Sequence, residues 1–235
     1  VELTTRLYSY LKDQETLKLG ALTLEHKVAI ALRDAKNYGF MFDTNTAIDI
    51  KINLEKERNK LDDVIHSSYP PTLVGKRVIK EVPFNPNSSK QVIDKLWEAG
   101  WKPTEKTKGH KQNTDTAKTD RYNVYGWMLN ENNLSTLPDA APEAAKSILK
   151  RTIYETRIRK LDEWLDLVDE DTGAIHGDII GIGTWTHRMG HRHPNLANIS
   201  ANKSIKYHTK ELNDLATTLG GKMRALWIAR PNRML

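Results

Sequence analysis

The sequence contains no cysteine, which excludes a disulfide framework and any thiolate metal site. No apolar run approaches the ~18 residues of a transmembrane helix. The opening VELTTRLYSYL has neither a basic stretch nor a continuous apolar core, so it does not read as a secretory leader. A cytoplasmic setting without a membrane partner is therefore expected. Three short catalytic signatures are also missing: G-x-x-x-x-G-K-[ST], G-x-S-x-G and H-E-x-x-H. Nothing in the residues alone makes a complete active site. Acidic residues are absent from Ile179 to Lys210, and this local absence proves the most informative.

What is present is ordinary in amount and uneven in placement. With 235 residues, 38% hydrophobic and 28% charged, the chain has material for one large domain or two modest ones. The net charge is +6. From Thr172 onward there are nine basic residues (Arg188, Arg192, Lys203, Lys206, Lys210, Lys222, Arg224, Arg230, Arg233) against Asp178, Glu211 and Asp214. That segment carries the whole excess, a distribution suited to a polyanionic partner such as nucleic acid.

Helical periodicity dominates. Leu3, Leu7 and Leu11 form one stripe over residues 1 to 12. Leu24, Val28, Ala31, Leu32 and Ala35 form another over 22 to 37, with Gly39 as C-terminal cap. Asp43 suits the N-cap of a third helix in which Ile50, Leu54, Leu61 and Ile65 share a face. The prolines of SSYPPTLVGKRVIKEVP predict a connector. Ser88 with Gln91 three residues on predicts a capping box for a helix burying Val92, Leu96 and Trp97 and ending at Gly100. Residues 102 to 120 read as a mobile basic loop, or as a loop ordered only on a partner. A long helix is expected over about 142 to 167 with KRTIYETRIRK on its surface, then a turn from Asp169 to Gly173 and loosely alternating strands from Ile175 to Thr184. A short helix over 209 to 219 and a helix-to-strand unit through GGKMRALWIARP close the chain. The expected class is mainly α with a small β part (α+β).

Two chemical readings of the residues fail on composition. His187, His191 and His193 give H-x3-H-x-H, but Arg188 and Arg192 lie between them and no carboxylate follows nearby, so they read as polar surface rather than metal ligands. The six acids from Asp162 to Asp171 fit a solvated helix end and turn better than a two-metal clamp. Binding remains. THRMGHRHPNLANI offers Arg and Asn, side chains suited to minor-groove acceptors. Ser88 and Ser89 at a helix start suit either capping or a phosphate seat. Lys150, Arg151, Arg157, Arg159 and Lys160 against Glu155 give one helix a local excess that could track a backbone.

Four stretches carry a family resemblance. FNPNSSKQVIDKLWEAGWKPTE resembles the thumb pattern FNPSS…L.EAGW.PT of the family A DNA polymerases, bacterial DNA polymerase I and the phage replicative enzymes. NYGFMFDT resembles their NGFPFD turn between leading thumb helices. IHGDIIGIGTWTHRMGHRHPNLANI resembles IHG…TGR…PNLQNIP, which leads into the palm, and GGKMRALWI resembles the G…R..F segment after it. All four occur in the family's order. The departures are His187 for a glycine, Ala197 for a glutamine, Ser200 for a proline, and the additional ANKSIKYHTKELNDLATTL.

The resemblance implies the end of an exonuclease-like domain with a linker helix at 1–20, thumb and flanking helices at 21–171, and a stretch leading into the palm at 172–235. It implies that Arg188, Asn195 and Asn198 meet the minor groove at the primer end, that Ser88, Ser89 and Lys160 lie along the duplex backbone, and that Arg224 precedes the catalytic strand. VELT resembles the family's exonuclease motif just after its aspartate, and the first palm aspartate would follow Leu235. Neither those carboxylates nor the fingers helix is in this sequence. The expectation is one piece of a split, spliced or truncated polymerase, inactive alone, acting in a phage host's cytoplasm. It would bind primer-template DNA beside the exonuclease and palm/fingers parts, with Mg2+ needed by the complete enzyme and no cofactor in this chain. A stand-alone nucleic-acid-binding accessory protein is the alternative, and a His-ligated metalloprotein the weakest.

Overall fold

The computed structural model describes residues 2–14, 18–74, 80–108, 126–199 and 210–230. Residues 109–120 of the expected basic loop, residues 121–125 after it and the stretch 200–209 lie outside these. In chain order the elements are α1 (Glu2–Lys12), α2 (Leu19–Tyr38), β1 (Phe40–Phe42), α3 (Thr44–Ser68), β2 (Thr72–Val74), β3 (Lys80–Val82), α4 (Ser89–Glu98), α5 (Glu131–Leu134), α6 (Glu143–Leu165), β4 (Ala174–Ile175), β5 (Asp178–Ile180), β6 (Gly190–Arg192), α7 (Lys210–Ala225) and β7 (Trp227–Ile228). The class is mainly α with small antiparallel sheets. No helix among the described residues is long and apolar enough to cross a membrane.

The chain divides into two compact units. The first gathers the described residues of 1–43, 164–199 and 227–235. Its centre is a three-stranded antiparallel sheet in the order β4-β1-β7, with Phe40 opposite Ile175 and Phe42 opposite Trp227. Phe42, Trp164 and Trp227 meet edge to face with centroids 5.3–5.9 Å apart, the favoured aromatic geometry. The Asp169–Gly173 turn forms as expected: Gly173 N–H donates to Asp169 O at 2.8 Å, and Asp169 Oδ1 accepts from Thr172 N–H. α2 stops at Gly39, whose φ of 66° suits glycine. A Cβ there would lie 2.8 Å from the His176 ring. The Leu3/Leu7/Leu11 stripe is helical but uncovered, with Leu3 82% exposed.

The second unit holds the described residues of 44–163 and 200–226. Its core joins Ala47, Leu54 and Ile65 of α3 with Val92, Ile93 and Leu96 of α4, Ile148, Ile153 and Leu161 of α6, and Leu212, Leu219 and Met223 of α7. Trp101 is buried and its Nε1–H donates to Asn133 O at 2.8 Å. The Asn133 amide, fully buried, donates to the carbonyls of Glu105 (2.9 Å) and Met128 (2.8 Å) and accepts from the N–H groups of Thr104 and Glu105. All four hydrogen-bonding capacities of that amide are used.

Several expectations are corrected here. The proline-rich connector contains a hairpin, β2 against β3, because Leu73 and Val82 follow the prolines with extended-chain formers. The capping box does not form. Ser88 is the N-cap without a side-chain bond, and Gln91 Oε1 instead accepts from Asn85 N–H at 2.6 Å. Ile93, not Trp97, completes the buried face of α4; Trp97 is 47% exposed and stacks on Trp127. KRTIYETRIRK is not a surface stretch: Arg151, Ile153 and Ile158 are buried. α7 is longer than expected and runs through Gly220 and Gly221 to Ala225.

Candidate nucleic-acid interface

In the first unit, the IHG and PNL motifs pack on one another. A Cβ on Gly177 would approach Leu196 Cδ1 to 3.0 Å, so a side chain at Gly177 would push the PNL turn off β5. His176 Nδ1 lies 2.7 Å from the carbonyl of Lys36, 140 residues away in sequence, which brings the NYGF turn to the same place. β5 then pairs with β6 as an antiparallel hairpin, Asp178 opposite Arg192 and Ile180 opposite Gly190.

The basic loop is the tip of this hairpin, and it is closed by its own hydrogen bonds. Gly183 N–H donates to Arg188 O at 2.9 Å, and His187 N–H to Thr184 O at 3.0 Å. Arg188 N–H donates to Thr184 Oγ1 at 3.1 Å, and the hydroxyls of Thr184 and Thr186 are 2.9 Å apart. His187 sits at φ 58° to close the turn, a conformation that the family's glycine adopts without cost. Gly183 faces Gly190 so closely that a Cβ on Gly183 would lie 2.3 Å from Gly190 N.

Arg188 is exposed, and its guanidinium has no hydrogen bond or ion pair among the described residues. Arg192 differs: its Nε is 3.3 Å from Asp178 Oδ2, and Lys36 pairs with the same carboxylate. The Lys36 ammonium beside Asp178 holds its carboxyl below the usual carboxylate range, against a smaller opposing push from desolvation, with Arg192 adding to the effect. Asn195 is half-buried, with Oδ1 enclosed and unpaired among the described residues. Asn198 is exposed in the 3-10 turn Leu196–Asn198.

In the second unit, Ser88 is half-buried and Ser89 exposed at the start of α4. Lys160 Nζ is 2.7 Å from Glu163 Oε2, and Arg224 is exposed near the end of α7. Acids from other elements take up three of the α6 cations: Lys150 pairs with Glu211, Arg151 with Asp62 and Arg157 with Glu131, while Arg159 pairs with Glu155 on α6 itself. Partial burial pushes the Glu155 carboxyl up, but hydrogen bonds from Arg58 and Arg159 outweigh it and leave the pKa below its ordinary value. Thus Arg188, Asn195 and Asn198 share one unit, and Ser88, Ser89, Lys160 and Arg224 share the other.

Sequence reasoning missed two residues. Asp178 lies one position before the acid-free stretch and takes up two cations of its surroundings. Trp185, within the quoted motif, is 93% exposed at the loop tip; an indole between two threonines in a turn was the available signal. Among the described residues no group of three or more His, Cys, Asp or Glu converges to hold a metal ion.

No protein-family profile matches the sequence. The DNA-directed DNA polymerase of Escherichia phage T7 is 32% identical over 131 residues, 54% of this chain. The DNA-directed DNA polymerase of Enterobacteria phage T3 gives the same identity and span. The chain spans 17% of the length of each curated relative. Among solved structures, the POL domain of Pol1 from M. smegmatis, in complex with DNA primer-template and dNTP, matches 88% of this chain and 30% of that one. Its TM-score is 0.59 at 20% identity, a likeness of fold. In sequence and in fold, this chain resembles a segment of the family A DNA polymerases.

Proposed function

We propose that this chain is the primer-template-holding part of a family A DNA-directed DNA polymerase, the thumb helices with the start of the palm. The observation that carries the reading is the closed loop 183–190. It presents an exposed guanidinium with no protein partner among the described residues, in a chain whose curated relatives are DNA-directed DNA polymerases. Arg188, with Asn195 and Asn198, would take minor-groove acceptors at the primer end. Those acceptors lie at similar places in every correct pair, so such contacts tolerate sequence and sense pair geometry. Ser88, Ser89 and Lys160 would lie along the duplex backbone, and Arg224 would precede the catalytic strand. On this reading residues 1–20 end an exonuclease-like part, 21–171 are thumb and flanking helices, and 172–235 lead into the palm.

Polymerase relatives imply metal-dependent chemistry, but the described residues here do not fit a metal ion. Phosphoryl transfer is therefore assigned to aspartates outside these residues, which would hold Mg2+. This chain would hold DNA and not polymerise alone, in the cytoplasm of a phage host.

Duplex binding across a salt series tests the reading, with log K expected to fall by about 0.9 per phosphate neutralised for each tenfold rise in salt. A salt-independent isotherm overturns it. When the exonuclease and palm/fingers parts are supplied, primer extension should appear, and Arg188→Ala should reduce extension more than duplex affinity. Equal losses would make Arg188 a phosphate anchor only. Binding without extension would make the chain an accessory protein.

A further inference from the structure

The same loop carries a second side chain that the reading above leaves unused. Trp185 is 93% exposed, and Ile182 and Met189, three positions before it and four after, are exposed as well. An indole held in water at a loop tip is a contact surface awaiting a partner. It sits inside the turn closed by the Gly183–Arg188 and His187–Thr184 hydrogen bonds. The loop is therefore already ordered, and binding through it loses little conformational freedom. From Ile179 through Ile199 there is no acidic residue, while Arg188 is three positions from the indole. An apolar aromatic face within a cationic, acid-free loop matches the flat face of a nucleobase beside phosphates.

We infer that Trp185 stacks on a base at the end of a duplex, either the terminal pair or the first unpaired base. The loop then reads a duplex–single-strand junction, with Arg188 in the adjoining groove. This rests on the proposed DNA-holding role and adds a ligand to it: an exposed base face, which a continuous duplex does not offer. Intercalating or stacking apolar side chains act in this way when bases can be separated at low cost.

The test uses the full 235-residue chain and two DNA probes of equal composition. One is a primer-template junction with a short template overhang, and the other a relaxed, covalently closed duplex circle without ends. Equilibrium binding at low salt should favour the junction. Trp185→Ala should weaken junction binding by about tenfold, within the range for losing one stacked base, and change circle binding by less than twofold. Trp185→Phe should retain part of the preference, and circular dichroism should show both variants folded.

If Trp185→Ala binds both probes as the unaltered chain does, the inference fails while the DNA-holding role stands, and the indole is left for a protein surface. An equal loss on both probes also overturns it, since Trp185 would then only shape the loop. If the unaltered chain binds neither probe, both readings fall.

Discussion

Helix α6 and the β5–β6 loop both carry positive charge, and they use it in opposite ways. Each of the five basic side chains between Lys150 and Lys160 has a carboxylate partner. Arg157 and Glu131 form a two-bond pair at 2.7 and 3.2 Å with little exposure of either side chain. In the loop, by contrast, Arg188 faces solvent and its backbone, not its side chain, makes the local bonds. Cations on α6 mainly fasten helices within their unit, whereas the loop leaves one without an internal partner among the described residues. Positive charge counted along a sequence is thus a poor measure of charge available to a polyanion; what matters is how much remains after internal pairing.

The contrast can be broken most strongly at Glu131. Glu131→Ala leaves Arg157 nearly buried without its partner, and an uncompensated charge there should cost about 3 kcal/mol or more in urea unfolding. Arg188→Ala should shift the same unfolding curve by less than about 0.5 kcal/mol, as for an exposed side chain without contacts. Comparable losses would mean that the loop arginine is structural.

A finer test removes a cation from α6. Lys160→Ala deletes one positive charge from that helix. If α6 lies along the duplex, the slope of log K against log salt should become shallower by about 0.9, one phosphate contact fewer. An unchanged slope would take Lys160 out of the DNA-binding set.

The smallest expected effect concerns pH. Because the Asp178 carboxyl is depressed in the folded chain, its tie to Lys36 and Arg192 is complete above the ordinary aspartate value of about 4. It is lost as pH falls through the lower folded value. Amide protection in β5 and β6 should decline over that acidic interval. Asp178→Asn should show the reduced protection at neutral pH and no further decline; an unaltered profile would show that the hairpin does not depend on this carboxylate.

Much of the architecture is legible from local pattern. α1, α2 and α3 follow their apolar periods, and Gly39 and Gly100 stop helices because φ of 66° and 82° there suits glycine. The less legible features depend on distant residues. Asp62 and Glu211 neutralise α6 from other helices, and no spacing along α6 foretells them. Gln91 follows the capping-box spacing yet bonds Asn85, because the FNPN turn brings that N–H within reach. At the site, the motif residues are legible, but the closure of the loop, and so the exposure of Arg188 and Trp185, depends on Gly183 meeting Gly190 across the hairpin.

The pairing of β1 with β4 and β7 has a consequence for how the molecule is made. The strand at residues 40–42 has its two neighbours at 174–175 and 227–228. On a ribosome adding about 5–20 residues each second, Phe42 would wait on the order of ten to forty seconds for Trp227 to emerge. The second unit's helices could associate during that interval, while the aromatic cluster around Trp164 is still missing a member. Translation speed between codons 175 and 227, more than any single contact, would then govern how long one edge of that strand is open to unwanted company.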